Sequence, residues 1–561
     1  MPGVNWADVI GAIAEAQPEA TAQVQGDRRF TWAELDRRSD RLGRRLLDLG
    51  LARQDKVAQY LYNGPEYMES VIAACKASLV PVNTNYRYLD DELVYLWDNA
   101  DVAAVVFHGC LAGRVDGLRH RLARVRAYLW VDDGSGPCPD WAIPYEEATG
   151  GDGDDGDGDP ARTGRRIGHR HDLAVERDGD DLVLIYTGGT TGMPKGVMWR
   201  QDDYFQVFNR ERAAGPYDTS RGRAGIGEAR RREGAGRVSL PACPQMHSLG
   251  LLGSVGTLLD GGTLVTLERG AFGPVRTLDL VERERVEVLY IVGDAFARPL
   301  LEALDAEPGR WDLSSLVRMR SAGVMWSEEV KRGLLRHHPD MLLHDGLGST
   351  EAVRAGRSES QGTATVQTGV FQPGPFTLIL DDELEPIPPG SRATGRLAVG
   401  GNQPVGYYKD PEKTARTFVE VRGERYVIPG DWAAWEDDGS IRLLGRGSLC
   451  INTGGEKVFP EEVEEALETH PGVRDAACVG VPHPRFGEVV TAVVELRDGH
   501  GDGGRSAVDE AELIAWVKER LAHYKAPRHV LFVATVGRAA NGKVDYRRVR
   551  QEAIAVIDIA R

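Results

Sequence analysis

The apolar run Leu182-Val183-Leu184-Ile185 passes directly into Tyr186-Thr187-Gly188-Gly189-Thr190-Thr191-Gly192-Met193-Pro194-Lys195-Gly196, and this junction constrains the chain more than any other stretch. The run is short, β-branched and unbroken, which predicts a buried strand. The glycines and threonines that follow leave little side-chain bulk. Backbone N–H groups can then close around an anion, while hydroxyls and the Lys195 ammonium add donors and charge. The pattern predicts a loop that holds phosphates at a strand end. It is not a Walker loop, because Lys195 follows Pro194 rather than Gly, and Gly196 stands where Ser or Thr would ligate magnesium. Taken alone, the loop also reads as a plain flexible turn.

The 561 residues predict two or more domains. A hydrophobic fraction of 42% and a charged fraction of 27% suit a soluble globular protein. Lys and Arg number 68 against 85 Asp and Glu, for a net charge of −17. That balance argues against nucleic acid as partner, since phosphate backbones need a basic face. It also argues against adhesion to anionic membrane. The six cysteines, Cys75, Cys110, Cys138, Cys243, Cys450 and Cys478, are scattered, with no C-x-x-C pair. With no signal-peptide pattern at the start and no apolar run of membrane-spanning length, the expectation is a cytoplasmic protein with reduced thiols.

Helical and strand-like patterns alternate from about residue 28 to 300, which predicts α/β architecture. Thr31 and Glu34 form a capping-box pattern at a helix start. Val57–Leu61 and Val102–Phe107 read as strands, and a helix begins near Asp90. After residue 390 the texture changes to short strands and turns, then to a small unit with helical spacing at Glu461–Leu467 and Glu510–Leu521 and strands at Ala476–Val481 and Val489–Leu496. The fold expected is a large N-terminal domain of α/β subdomains plus a β-rich subdomain, residues 1–445, followed by a small mobile α+β C-terminal domain, residues 446–561. Gly445-Arg446-Gly447-Ser448 marks the boundary, where two glycines permit large backbone rotation. Gly150–Asp159 is nearly pure Gly and Asp; it lacks the Gly and terminal Glu of a calcium loop and reads as a solvated surface segment. Residues 210–237 read as an Arg-rich solvated loop with a basic helical piece at Glu228–Glu233. Gating an acyl entrance or meeting CoA phosphates is the functional alternative.

Several segments in one chain order resemble the adenylate-forming superfamily of acyl-CoA synthetases, luciferases and peptide-synthetase adenylation domains. The strand-end loop is similar to its phosphate loop, which implies that Thr187 helps hold Mg²⁺. Gly188, Gly189, Thr190, Thr191, Gly192 and Lys195 would surround the ATP phosphates. Asp345-Gly346-Leu347-Gly348-Ser349-Thr350-Glu351 resembles the second nucleotide motif. The resemblance implies Glu351 as the Mg²⁺ ligand, Thr350 at the α-phosphate and Asp345 near the adenine. Leu347 stands where the family often has a stacking aromatic. Tyr426 and Gly430-Asp431 resemble the ribose motif, with Asp431 accepting from both hydroxyls and Arg446 in support. Asn541-Gly542-Lys543 resembles the terminal motif, in which Lys543 reaches the acyl carboxylate and α-phosphate. Because that lysine would obstruct an incoming thiol, the family rotates its C-terminal domain between half-reactions. Ser448 occupies the hinge position, where Asp or Lys is commoner. Thr453-Gly454-Gly455-Glu456-Lys457 resembles the segment that swings in afterwards; Gly455 would leave room for pantetheine and Lys457 would assist with CoA phosphate.

His247 lies where the family places an acyl-pocket residue, and a structural histidine is the alternative. Gly323 would allow close approach to adenine or acyl group. The phrases at 186–199 and 445–464 look most like actinobacterial fatty-acid and steroid-side-chain CoA ligases. This resemblance implies an ATP-, Mg²⁺- and coenzyme A-dependent ligase acting on a small-molecule oxyacid; the sequence does not reveal the oligomeric state, for which a homodimer is only a guess. Arg354 puts a cation where an apolar acyl tunnel needs none. That keeps open an adenylating ligase of natural-product biosynthesis, which activates another oxyacid such as nitrous acid in diazo formation, or passes its adenylate to a non-CoA acceptor. A non-catalytic nucleotide-binding module is disfavoured, since a dead scaffold has no need of Glu351, Asp431 and Lys543 together.

Overall fold

A computed structural model describes residues 3–150, 173, 175–189, 192–270, 272–324, 326–364, 367–391, 393–453, 456–483, 486–497, 508–521, 523–539 and 542–560. The Gly/Asp run beyond Gly150 lies outside the described residues. The chain divides into two compact units.

The first unit comprises Met1–Ile291, Trp311–Met319 and Asn402–Arg416. One of its sheets has, among the described residues, the strand order Gly406–Tyr407, Gly192–Arg200, Leu182–Gly189, Val80–Asn83, Lys56–Tyr60, Val102–His108, Ala127–Val131, Ile143–Pro144. From Leu182–Gly189 to Ile143–Pro144 the strands run parallel. The continuous apolar character of Val102–His108, buried at every position, is what a strand covered on both faces requires. Arg28–Thr31, Thr21–Gln25, Thr263–Val265, Val238–Pro241 and Val288–Ile291 form the unit's other sheet, parallel apart from the first pairing. The expected capping box is present: the Thr31 hydroxyl accepts from the Glu34 N–H at 3.2 Å, and the Glu34 carboxylate accepts from the Thr31 N–H at 2.7 Å.

Residues 210–237 depart from the solvated reading. The helix is longer, Gly222–Glu233, with Gly225, Ile226, Gly227 and Ala229 buried, and it lies against helix Trp6–Ala16, where Gly227 faces the Ala12 carbonyl. Arg212 and Arg230 are buried as well. Arg212 pairs with Glu233 at 2.7 Å and Asp260 at 2.8 Å, and its guanidinium sits 3.5 Å from the centre of the Tyr217 ring. The small-residue stripe lets the backbone approach closely, and the buried charges are matched by acids from neighbouring turns. These two arginines are therefore occupied inside the unit.

The second unit comprises Val292–Arg310, Arg320–Gly401 and Thr417–Arg561. Its β-rich part runs antiparallel through Leu342–Leu347, Gly356–Ser360, Val370–Pro373, Ile441–Arg446, Asp431–Trp435 and Thr394–Val399. Its C-terminal part is a smaller sheet whose long hairpin, Val473–His483 with Gly487–Leu496, is joined in parallel by His529–Val533. Alternation along these strands builds two cores. Ala476, Cys478, Val490, Ala492 and Val494 face Val463, Leu467, Leu513 and Val517 of helices Pro460–Glu468 and Glu510–Arg520. Ala477, Val479, Val481, Val489 and Val493 face Val549, Ala553 and Ile557 of helix Tyr546–Ala560. Period-two patterning thus covers both faces of the sheet with helices. The mixed α/β class, with a large N-terminal part and a small C-terminal one, agrees with expectation. The six cysteines are free thiols, with Cys75, Cys243 and Cys478 buried. No helix among the described residues is long and apolar enough to cross a membrane.

Candidate active site

In the first unit the strand predicted at Leu182–Ile185 continues to Gly189, and its antiparallel partner starts at Gly192. Thr187 lies opposite Lys195 and Gly189 opposite Gly192, so the described flanks of the Gly/Thr segment pair as antiparallel strands. Thr187 and Lys195 are half-buried; Thr190 and Thr191 lie outside the described residues. His247 is half-buried and stands at the N-terminus of helix Ser248–Leu259.

A residue that the sequence reading passed over ties these two places together. Asn83 is buried; its amide donates to the Tyr186 carbonyl at 2.9 Å and the Met246 carbonyl at 2.6 Å, and its oxygen accepts from the Tyr186 N–H at 2.6 Å. Thr187 and His247 each come one residue later. Asn63 clamps the same approach, donating to the Cys243 carbonyl at 3.0 Å and accepting from the Gln245 N–H at 2.7 Å. Polar residues at the ends of parallel strands are the signal that would have found both. Asn83→Leu leaves three buried backbone groups without partners, so it is expected to cost about 2–4 kcal/mol. A urea midpoint unchanged from the parent would contradict this bracing role.

In the second unit the strand Leu342–Leu347 leads into the segment that resembles the second nucleotide motif. Burial alternates along it, placing Asp345 and Leu347 inside and Gly346 on the opposite face, 3.5 Å from the Ser321 carbonyl at the Cβ position. Beyond it the chain turns sharply. The Ser349 N–H donates to the Ala352 carbonyl at 3.0 Å, and the Ser349 hydroxyl accepts from the Ala352 N–H at 3.1 Å. Ser349 therefore closes the turn, with Thr350 and Glu351 at its tip. A side chain at Gly348 would meet the Ala352 carbonyl at 2.8 Å, which is why a glycine stands there. Thr350 is buried and Glu351 half-buried.

Asp431 begins strand Asp431–Trp435, half-buried, and its backbone faces Arg446 in register. The side chains of Arg446 and Lys457, and the whole of Gly455, lie outside the described residues. Gly323 at φ +88° and Gly430 at φ +102° have, among the described residues and apart from their chain neighbours, no atom within 4 Å of where a Cβ would stand. This is room for a planar base or a sugar beside the backbone. Thr187, in the first unit, and Glu351, in the second, are both half-buried.

Lys543 follows a tight hairpin. The Gly542 N–H donates to the Ala539 carbonyl at 2.8 Å, and the Ala539 N–H donates to the Lys543 carbonyl at 2.9 Å. Gly542, at φ +74°, lies so near the segment around Gly323 that an added Cβ would come within 2.8 Å of Ala295 Cβ and 3.5 Å of Val324 Cγ2. That segment is itself braced. Ser321 Oγ accepts from the Gly293 N–H at 2.8 Å, and Asp294 accepts from the Ser327 hydroxyl at 2.6 Å and from Arg298 at 2.9 Å. The second unit thus brings the Lys543 hairpin to the turn that carries Gly323.

Asp345 is buried 3.4 Å from the equally buried Lys331. Burial pushes its carboxyl up to about 6, Lys331 pulls it back down, and Asp294 adds a further upward push.

The profile of the family described as AMP-binding enzyme matches residues 11–408, and that of the AMP-binding enzyme C-terminal domain matches residues 462–543. The chain belongs to the AMP-binding enzyme family. It is 37% identical to a medium/long-chain-fatty-acid–CoA/3-oxocholest-4-en-26-oate–CoA ligase of Mycobacterium marinum, over 98% of this chain and 96% of that one. It is 36% identical to a 3-oxocholest-4-en-26-oate–CoA ligase of Rhodococcus rhodochrous, again over 98% and 96%. Among solved structures, ATP-bound MatB from Rhodopseudomonas palustris shares the fold of this AMP-binding enzyme with a TM-score of 0.78 at 24% identity, covering 99% of this chain and 100% of that one.

Proposed function

We propose that this AMP-forming ligase of the acyl-CoA synthetase type activates a fatty or steroid-type carboxylic acid with ATP and transfers the acyl group to coenzyme A. In the first half-reaction a carboxylate oxygen attacks the α-phosphorus and pyrophosphate leaves, giving an acyl-adenylate. In the second, the CoA sulfur attacks the acyl carbon, AMP leaves and the thiol proton is released. A bare carboxylate resists attack because of its charge and its poor leaving group, and the mixed anhydride removes both faults.

The residues divide this work by their chemistry. Lys543 would set an ammonium against the charge that grows at the α-phosphate as pyrophosphate departs, with Thr350 as a hydroxyl donor there. Asp431 would accept from the ribose hydroxyls, and Gly323 and Leu347 would flank the base. Thr187 and Glu351 would hold Mg²⁺, which when bound neutralises triphosphate charge. His247 would wall the acyl group. Gly455 and Lys457 would serve the pantetheine and phosphates of CoA after rotation about Gly445–Ser448. Gly445 has φ +115° and the Glu461 carboxylate lies where its Cβ would be, so no other residue suits that position.

The observation that most supports this reading is the packing of Gly542, the residue before Lys543, on Ala295 and Val324 beside Gly323. The names of the full-length relatives support the acid class and the CoA acceptor. The test is AMP release with ATP, Mg²⁺ and a panel of fatty, steroid and aromatic acids, with and without CoA. Release that depends on CoA and on a fatty or steroid acid is expected. AMP release indifferent to CoA under every acid would overturn the acceptor and favour a ligase with another nucleophile.

A further inference from the structure

We infer that Arg538 is a positioning residue for adenylation: its guanidinium, clamped on Asp475, holds the Gly542 carbonyl and so sets where Lys543 presents its ammonium. The inference rests on the reading of Lys543 given above. Arg538 Nε donates to both Asp475 oxygens, at 2.9 and 2.8 Å, and Nη2 donates to one of them at 2.7 Å. Nη2 also donates to the Ala476 carbonyl at 3.2 Å and lies 3.4 Å from Glu468. Asp475 and Ala476 belong to strand Val473–His483, and Ala476 is fully buried in the core of the C-terminal module. The remaining nitrogen, Nη1, donates to the Gly542 carbonyl at 3.3 Å. A planar fork thus connects a core strand to the peptide immediately before Lys543.

Backbone bonds between Ala539, Gly542 and Lys543 fix the local turn, and the Arg538 contact ties that turn to the core strand. At the start of the loop, the Val536 N–H donates to Glu495 at 3.0 Å and the Val536 carbonyl accepts from Arg548 at 2.7 Å. At its outer side Gly542 meets Ala295 and Val324. Asp475 and Glu468 match the guanidinium charge locally, so Arg538 is a brace for the lysine rather than a second cation for the phosphates. Lysine at 538 has no rigid fork with which to reach Asp475 and the loop carbonyl together.

The experiment compares R538Q, R538K, D475N, K543A and R538Q/K543A in substrate-dependent ATP–pyrophosphate exchange and in thioester formation from synthetic acyl-AMP and CoA. R538Q is expected to lower kcat for exchange about 100-fold with KM for ATP within about twofold, because the ammonium is displaced and not lost. Thioester formation stays within about threefold of the parent, since the Lys543 loop acts before rotation, and R538K restores little of the exchange. R538Q/K543A is expected within about threefold of K543A alone, the sign that both changes act through one group. D475N, which keeps the guanidinium and the Ala476 contact, gives the same selective loss at about 10-fold and carries the test if R538Q does not fold. Equal loss of both half-reactions, or full additivity with K543A, overturns the proposal in favour of a merely structural arginine. Parent-level exchange in R538Q while K543A is inactive overturns the role of Arg538 alone. Parent-level exchange in K543A overturns the underlying reading of Lys543 as well.

Discussion

Lys543→Ala is expected to cut ATP–pyrophosphate exchange about 100- to 1000-fold, the range for removing one preorganised donor from a developing oxyanion. In the same variant, CoA thioester formation from a synthetic acyl-adenylate is expected to stay within about threefold of the parent, because under the proposed rotation that step follows the departure of the lysine. The asymmetry follows from geometry. Gly542 lies against Ala295 and Val324, so its neighbour is held at the Gly323 turn. An ammonium there helps pyrophosphate depart but would stand in the path of a thiol approaching the acyl carbon. One position cannot serve both steps, and the proposed rotation at the Gly445–Ser448 segment would resolve the conflict. A variant equally slow in both half-reactions would contradict the rotation account, since it would place Lys543 in a single site used throughout.

What the sequence disclosed and what it hid divide along a physical line. Local patterns were legible: the capping box at Thr31 and Glu34, the strand from Leu182, and the alternating strands of the C-terminal module depend on neighbours a few residues away. Contacts made by distant segments were not. Asn83 meets Tyr186 and Met246 only because parallel strand ends converge; its place at a strand end flags it, but the Val80–Asn83 run does not name its partners. Arg212 and Arg230 looked like a solvated basic stretch because folding buries them with Glu233 and Tyr217 of the same stretch and brings Asp260 from outside it. Among the candidate site residues, Asp345 illustrates both sides. Its place before Gly346 was readable, whereas its burial against Lys331, from the neighbouring helix Glu328–His337, was not.

That pair gives the largest expected effect on stability. Lys331 is almost fully buried, 3.4 Å from Asp345, with its ammonium 5.6 Å from the centre of the Trp326 ring. Removing one partner of a buried ion pair strands the other, so Lys331→Met is expected to cost about 3–5 kcal/mol at pH 8. The pH dependence has a definite sign. Burial pushes the folded-state carboxyl of Asp345 up to about 6 from 3.8. Between those values the folded protein holds a proton that the unfolded chain has released, so the associated stability is present below the lower value and is lost as pH rises through about 6. Without Lys331 the carboxyl moves higher still, and the loss continues above pH 6 in the variant. At pH 5 a neutral Asp345 needs no counter-ion, and the cost of Lys331→Met shrinks there to about 1–2 kcal/mol, chiefly lost packing of the lysine stem. Asp345→Asn/Lys331→Met removes the stranded acid and is expected to regain most of the stability at pH 8. Urea unfolding of the three proteins at pH 5 and pH 8 decides it. A penalty for Lys331→Met that is the same at both pH values would mean that Asp345 is charged throughout, and that Lys331 contributes by packing rather than by charge to the strand that carries Gly346, Leu347 and the turn of Glu351.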